Sequence, residues 1–370
     1  MNRKELNELR RRLRAEDSAI TQFYGCYVSS LRQIISVFSV STATMNQTES
    51  EMYYALLKKA ISGTAGKSLV TVRLEKNSPG QRMLNDIRVY GAKDAVLRER
   101  FFRTIIENAD MEGSYLILLA LDSYDVPHRS ASGEYDREAS GAVFSYFICA
   151  LCPVIDAEAK LAYSSEEREF RSDSVGQTVG APAAGFLYPS FAGRSSNLDK
   201  ALYYMKSPAE PHDELVKGLF GTERPMLDAE RREAFHYALA EATDGTCDFT
   251  TVQALYQTMR DKTEELKLSE TPELDMLRPD DVQDILEKGG LDGKKARQFA
   301  SSFAEAVGRD ARMMPSAVME SGSFRMTTEG VKITVSPDMA GLVKMRTIDG
   351  RRYILIPVDG GAEVNGVSVF

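Results

Sequence analysis

Two long apolar runs constrain the fold of this chain more than any other feature of its sequence. They span 114–121, which contains YLILLAL, and 143–155, with the sequence VFSYFICALCPVI. Neither run reaches the roughly 18 residues that a membrane-spanning helix needs. Because apolar side chains occupy consecutive positions, both faces of an extended segment would be apolar, and we predict two central strands of a covered sheet. A polar loop over about 127–141 is predicted to connect them.

The first half of the chain alternates between helical and extended patterns. Leu6, Leu9 and Leu13 form an apolar stripe at helical spacing. By the same reasoning, helices are predicted over 3–15, 49–61 and 81–109, and strands over 23–40 and 68–75. The stretch 180–197 is rich in Gly and Pro, and is predicted to be irregular but packed. We therefore expect one α/β domain over 1–205.

A helical pattern follows from Leu198 to about Gly308. Asn197 is the predicted N-cap of its first helix, in NLDKALYYM. Further helices are predicted near 211–220, 228–242, 248–268, 279–288 and 292–307. The sequence thus predicts a helical region over 206–310.

The end of the chain changes to an extended pattern. Residues 311–322 are predicted to be a linker, and 323–370 a small antiparallel β unit. Asp349-Gly350 and Asn365-Gly366 are the dipeptides of tight two-residue hairpin turns. The predicted fold class is α+β, with an α/β N-terminal domain, a helical middle region and this C-terminal β unit.

The charge balance is acidic, with 54 Asp and Glu against 46 Lys and Arg and a formal charge of −8. Such a balance is unfavourable for a protein whose whole surface binds nucleic acid. The first helix is locally basic, because Arg10, Arg11, Arg12 and Arg14 cluster there. These arginines are candidate nucleic-acid-binding residues. Alternatively, they form a solvated face opposite the leucine stripe.

The four cysteines do not have the spacing of a zinc site. Cys149 and Cys152 form a C-x-x-C pair, whereas Cys26 and Cys247 are isolated, and zinc usually needs four ligands. The pair falls in a predicted strand, where residues three apart face opposite sides, and two buried thiols are expected. The N-terminal sequence is charged and lacks the apolar stretch of a secretion signal. A cytoplasmic protein is therefore expected.

Asp122, Asp125 and His128 lie where the first apolar run ends, and loops at strand ends often carry chemistry. Two carboxylates and one imidazole could bind a metal or transfer a proton, so these are the candidate catalytic residues. Alternatively, they are ordinary loop residues. The stretch GTAGKS, 63–68, is similar to part of a phosphate-binding loop, but it lacks the first Gly and the strand–loop–helix order of such a loop. It is therefore predicted to be the end of a helix followed by a turn. No cofactor or metal site is predicted.

Several segments resemble an uncharacterised bacterial family known as domain of unknown function 4317. They are FYGCYV, YYALLKKAISGTAGKSL, GSYLILLALDSYDVP, VFSYFICALCPV, GAPAAGFLYPSF, ALYYMK and YILIPVDGGAEVNGV, and together they span essentially the whole chain. This resemblance implies no catalytic residue. The general layout and the late Asp-Gly turn also resemble bacterial nucleoid-associated proteins, which would imply a chromosome-linked role.

The function expected from the sequence is a non-enzymatic cytoplasmic binding or scaffold protein, with DNA or a protein as partner, and nucleoid association as one form of this role. The alternative is a metal-assisted hydrolase-type enzyme that uses Asp122, Asp125 and His128. No membrane association is expected. Self-association is an open alternative, because apolar C-terminal strands can leave an edge available for pairing.

Overall fold

The computed structural model describes residues 1–129, 135–157, 160–164, 168–173, 176–269, 275–358 and 360–369. The chain divides into two compact units, Met1–Pro225 and Met226–Phe370. The prediction of an α+β fold is confirmed. Within the described residues, no helix is both long enough and apolar enough to cross a lipid bilayer.

The strands of the first unit are β1 (Gln22–Val28), β2 (Ile34–Ser41), β3 (Leu69–Arg73), β4 (Tyr115–Arg129), β5 (Tyr135–Asp156), β6 (Lys160–Ser164), β7 (Glu169–Asp173), β8 (Gln177–Val179), β9 (Ala184–Tyr188), β10 (Ser190–Ala192), β11 (Ser195–Asn197) and β12 (Lys200–Met205). Its helices are α1 (Arg3–Arg12), α2 (Gln47–Lys59), α3 (Pro79–Tyr90), α4 (Ala95–Asn108) and α5 (Asp213–Phe220).

Most of these strands form one antiparallel sheet. Its order is β2-β1-β4-β5-β9-β12-β3, with β8 attached to β5, while β6-β7 and β10-β11 are separate two-stranded ribbons. Neighbours along this path pair antiparallel. The two apolar runs therefore lie side by side in the middle of the sheet, as β4 and β5, which confirms the prediction of central strands.

Helices cover both faces of the sheet because the central strands are apolar on both sides. Leu116 and Leu118 of β4 pack in the same core as the leucines of α1 and the buried residues of α2. On the opposite face, Phe101 of α4 lies 5.9 Å from Phe147 of β5, ring centre to ring centre. The helix α1 begins with a capping box, in which the Asn2 side chain accepts from the Glu5 amide at 2.9 Å.

The sequence predictions failed at β9 and β12, for different reasons. The stretch 180–197 contains strands β9 to β11 rather than irregular chain. Gly185, which resembles a strand breaker, is required in β9, because a Cβ atom there would lie 2.8 Å from both the Ala60 Cβ and the Cys149 carbonyl oxygen. Asn197 caps no helix; its side chain accepts from the Asp199 amide before β12. The predicted first helix of 198–308 is therefore a strand.

The predicted loop over 127–141 is also shorter than expected. Strand β4 continues to Arg129 and β5 begins at Tyr135, with irregular register around Pro127. The ladder satisfies backbone groups whatever the polarity of the side chains, so polar composition did not end these strands. Residues 130–134 lie outside the described residues.

At the edge of the sheet, Phe38 of β2 lies directly over Gly25 of β1. A Cβ atom on Gly25 would overlap the Phe38 ring. The pairing register places these two residues opposite each other. Close approach of the ring thus requires glycine at this position of β1.

The second unit contains helices and short hairpins. The helices are α6 (Asp228–Ala242), α7 (Phe249–Leu268), α8 (Pro279–Lys288) and α9 (Gly293–Val307), and the strands are β13 (Phe324–Thr328), β14 (Val331–Val335), β15 (Lys344–Ile348), β16 (Arg351–Leu355), β17 (Ala362–Val364) and β18 (Val367–Val369). Met313, Ala317 and Val318, from the segment predicted to be a linker, are buried in the helical core.

The strands of the second unit pair as three hairpins, β13-β14, β15-β16 and β17-β18. Asp349 and Gly350 have φ angles of 50° and 77°, and Asn365 and Gly366 have φ angles of 52° and 83°. These positive values are those that a two-residue hairpin turn requires, so both predicted turns are confirmed.

Candidate functional site

Asp122 is a buried residue of β4 whose carboxylate is held by three donors. Oδ1 accepts from the Ala19 amide at 2.7 Å and from its neighbour Ser123 at 2.9 Å. Oδ2 accepts from the Tyr146 hydroxyl at 2.5 Å. Burial, followed by the nearby Asp122 charge, raises the pKa of Tyr146 well above its ordinary value, so the phenol remains a donor. These contacts make Asp122 an internal tie between β4, β5 and the segment that precedes β1.

Asp125 is separated from Asp122 by the geometry of the strand. Residues three apart in a strand face opposite sides, and Asp125 is exposed whereas Asp122 is buried. His128 lies in β4 opposite Asp136, but its side chain falls outside the described residues. In the described part of the chain, no three His, Cys, Asp or Glu side chains gather as a metal site. The catalytic role of these three residues stays a prediction.

Arg12 of α1 is also occupied near Asp122. Its Nη2 donates to the Ser123 carbonyl at 3.2 Å and lies 4.0 Å from Asp122 Oδ1. The guanidinium carbon lies 4.3 Å from the centre of the Tyr124 ring, within the range of a cation–π contact. Arg12 therefore anchors α1 to β4.

Glu8, Tyr124 and Arg194 form a second polar contact at this end of the sheet. The Tyr124 hydroxyl donates to Glu8, and Arg194 Nη1 donates to the other oxygen of the same carboxylate at 3.1 Å. Burial, with Glu8 as the next cause, raises the pKa of Tyr124 to about 12. The Glu8 carboxylate thus binds both the Arg194 guanidinium and the Tyr124 hydroxyl, and these contacts attach α1 to the sheet.

Arg10 binds the chain just after α2. Its Nε and Nη2 donate to the Ile61 carbonyl at 2.9 and 2.7 Å, and Nη2 also donates to Gly63 at 2.9 Å. Both carbonyls follow the C-cap residue Ala60, so the guanidinium connects α1 to the turn after α2. Arg11 and Arg14 are exposed. Two of the four predicted nucleic-acid-binding arginines are thus committed to intramolecular contacts.

The C-x-x-C pair is buried, as predicted. Cys152 lies in the core shared with α1 and α2, and Cys149 is fully buried three positions earlier in β5. Burial raises the pKa of the Cys152 thiol to about 12 and that of Cys149 well above its ordinary value. A thiol that stays protonated is a poor nucleophile and a poor metal ligand.

The hairpin β15-β16, which we call the basic ribbon, is a surface that the sequence reasoning missed. On one of its faces, each cross-strand pair joins a cation to an apolar or aromatic residue. The pairs are Lys344 with Leu355, Arg346 with Tyr353, and Ile348 with Arg351. All six side chains are exposed. Such directly opposed side chains lie about 5 Å apart at Cβ.

The opposite face of the basic ribbon contacts the protein through Ile354. Ile354 is half-buried and packs against a small core that contains Tyr256 and Phe324. In the segment that leads into the ribbon, the carbonyls of Ala340 and Val343 accept from Gln253 Nε2, at 2.7 and 2.9 Å. The Asp349-Gly350 dipeptide could have predicted this surface from the sequence, because a two-residue turn fixes every cross-strand pair of its hairpin.

The structure thus defines an α+β protein with a helix-covered antiparallel sheet in one unit and a helical core with β-hairpins in the other. The family model described as Domain of unknown function (DUF4317) matches residues 1–367. The chain belongs to this family, which confirms the resemblance seen in the sequence. No curated protein matches the chain. The resemblance to nucleoid-associated proteins receives no support from the family match.

Proposed function

We propose that this chain is a non-enzymatic nucleic-acid-binding protein of the bacterial cytoplasm, and that the basic ribbon contacts duplex DNA. The observation that carries the proposal is the exposed face on which Lys344, Arg346 and Arg351 alternate across the strands with apolar side chains. Free thiols at all four cysteines support a reducing compartment.

The charge of the basic ribbon is opposite to that of the chain. Residues 344–355 contain Lys344, Arg346, Arg351 and Arg352 against Asp349, so four positive charges and one negative give +3, on a chain of net charge −8. In the described part of the protein, none of the four cations takes part in an ion pair. A local cationic surface attracts phosphates even on an acidic protein, because salt screens the distant charges beyond about 8–10 Å.

The dimensions of the basic ribbon fit the major groove. Two strands about 4.8 Å apart, with their side chains, make a body roughly 10 Å wide, and the groove is about 12 Å wide. Two-stranded ribbons are an established means of entering this groove. Tyr353 and Ile348 lie between the cations, where they can contact sugars and thymine methyl groups.

The test is fluorescence anisotropy with the full-length chain and a labelled 20-base-pair duplex, titrated at 50 to 200 mM KCl. Three phosphate contacts predict a log–log salt slope of about −2.7, and hence about 40-fold weaker binding across this range. The double variant Arg346→Gln/Arg351→Gln should lower the slope by about 2 and the affinity at least tenfold.

The matched control is Arg11→Gln/Arg14→Gln, which removes the same charge from the exposed arginines of the N-terminal region. We expect it to bind the duplex as the unmodified chain does. Absence of binding at 50 mM KCl would refute nucleic-acid binding. A larger loss in the control than in the ribbon variant would refute the ribbon as the contact surface and assign binding to the N-terminal region.

A further inference from the structure

Strand β2 forms one edge of the large sheet. It pairs with β1 on its inner side, and in the described part of the chain no strand pairs with its outer side. An edge of this kind presents a row of backbone donors and acceptors that another strand can use.

The sequence of β2, IISVFSVS, contains neither a charged residue nor proline. Proteins usually protect sheet edges with charges, proline, bulges or short strands. Strand β2 has eight residues without charge or proline, and its register on β1 is irregular only at its start, where Ile35 is passed over between Ile34 and Ser36. Ile35 and Val37 expose 53% and 43% of their surface. Within the described residues, the strand therefore combines an outer row of backbone groups that no other strand pairs with and exposed aliphatic side chains.

The opposite edge, β3, is different. It has five residues and ends in Arg73, whose carbonyl accepts from the Thr222 hydroxyl at 2.6 Å. The next residues are also tied to the chain after α5, because the Glu75 amide donates to the Phe220 carbonyl at 3.0 Å. Because these contacts protect β3 and none of the described strands pairs with the outer side of β2, the two edges of the sheet differ.

We propose that β2 pairs antiparallel with β2 of a second copy of this chain, so that two sheets become one. The absence of charged residues from β2 favours this occupant. An uncharged strand offers no ion-pair partner to a charged peptide, whereas two copies of β2 oppose no like charges. A two-fold axis through the pair uses the same surface on both copies and closes the assembly.

The position of Arg32 favours the antiparallel arrangement. Arg32 is exposed and lies two residues before β2. In an antiparallel pair the two copies of Arg32 lie at opposite ends, about 35 Å apart at 3.3 Å per residue. A parallel pair would place them side by side. Since the contact is one strand wide, we expect a small interface with a dissociation constant in roughly the micromolar range.

The test is sedimentation velocity of the full-length chain from 1 to 200 µM. The unmodified chain should shift from monomer to dimer, and Val37→Lys should weaken the dimer at least tenfold, because it places two like charges near the axis. Val364→Lys is the matched control, since Val364 is also an exposed strand valine, at 56% exposure. It should dimerise as the unmodified chain does.

Hydrogen exchange supplies a second measurement that does not depend on a variant. Amides within 35–41 should exchange more slowly at 200 µM than at 1 µM in the unmodified chain. A monomer at 200 µM overturns the proposal, as does a dimer whose affinity is unchanged by Val37→Lys. Loss of the dimer in Val364→Lys alone would overturn it too, because the contact would then involve β17. These outcomes are independent of DNA binding.

Discussion

Strand β5 and the basic ribbon both satisfy the sequence pattern of β structure, but they use their apolar residues differently. Residues 144 and 146–152 of β5 are buried, between helices on both faces of the sheet. In the ribbon, by contrast, only Ile354 is partly buried. Apolar side chains therefore stabilise the fold in the first case and remain available for contacts in the second. Substitutions should separate these roles.

The largest expected effect on the free energy of unfolding is that of removing a buried ring. Phe147→Ala should lower the free energy of unfolding by about 3–5 kcal/mol, because it removes a fully buried side chain that packs on Phe101 and Phe186. Tyr353→Ala in the basic ribbon should change it by less than about 0.5 kcal/mol. Urea denaturation followed by circular dichroism measures both. Equal losses in the two variants would contradict the contrast between the regions.

A smaller effect is expected within β4, where the two faces of one strand can be compared. Asp122→Ala should cost about 2–4 kcal/mol, since it leaves the Tyr146 hydroxyl and the Ala19 amide without their acceptor. Asp125→Ala, on the exposed side, should be nearly neutral. The same denaturation experiment measures this difference. If Asp125→Ala were as costly as Asp122→Ala, the description of Asp122 as the structural tie would be wrong.

The smallest effect, over the measured range of pH 8 to 10, is that of ionising the Cys152 thiol. Burial raises the pKa of Cys152 to about 12, from 9.0 for an ordinary thiol. The unfolded chain ionises this group first, so the stability it contributes is complete below pH 9 and is lost between pH 9 and pH 12. The loss is about 1.4 kcal/mol per pH unit for each such group.

Urea midpoints at pH 8, 9 and 10 measure this dependence. Tyr115 and Tyr188, whose pKa values burial also raises to about 12, add to the loss above pH 10. Cys152→Ala should be less stable at pH 8 but lose less stability between pH 9 and 10. An unchanged slope in this variant would show that the Cys152 thiol does not contribute.

The sequence predicted elements wherever one physical signal dominated. The apolar runs identified β4 and β5, and Asp349-Gly350 identified a hairpin. Prediction from the sequence failed at β12. The apolar residues of KALYYM also fit a helix, and burial on both faces hides the period of two that marks a strand. Only the pairing with β3 and β9, which is distant in sequence, decides between these alternatives.

The candidate sites were harder to predict than the fold, because their chemistry depends on distant contacts. Asp122 and Asp125 are near in sequence, yet the strand directs them to opposite sides. Arg10 and Arg12 belong to a basic cluster, yet one binds carbonyls after α2 and the other a carbonyl of β4. Exposure, which separates Arg346 from Arg10, is a property of the packed molecule and not of local sequence.

The contact between Gly25 and Phe38 has an evolutionary consequence. A side chain at position 25 would overlap the Phe38 ring unless the ring moved aside, so the two positions are coupled as a pair. Relatives that acquire a side chain at the position of Gly25 should therefore have lost the aromatic residue facing it. Such paired replacements among family members would show that the outermost strand packs closely against its neighbour at this position.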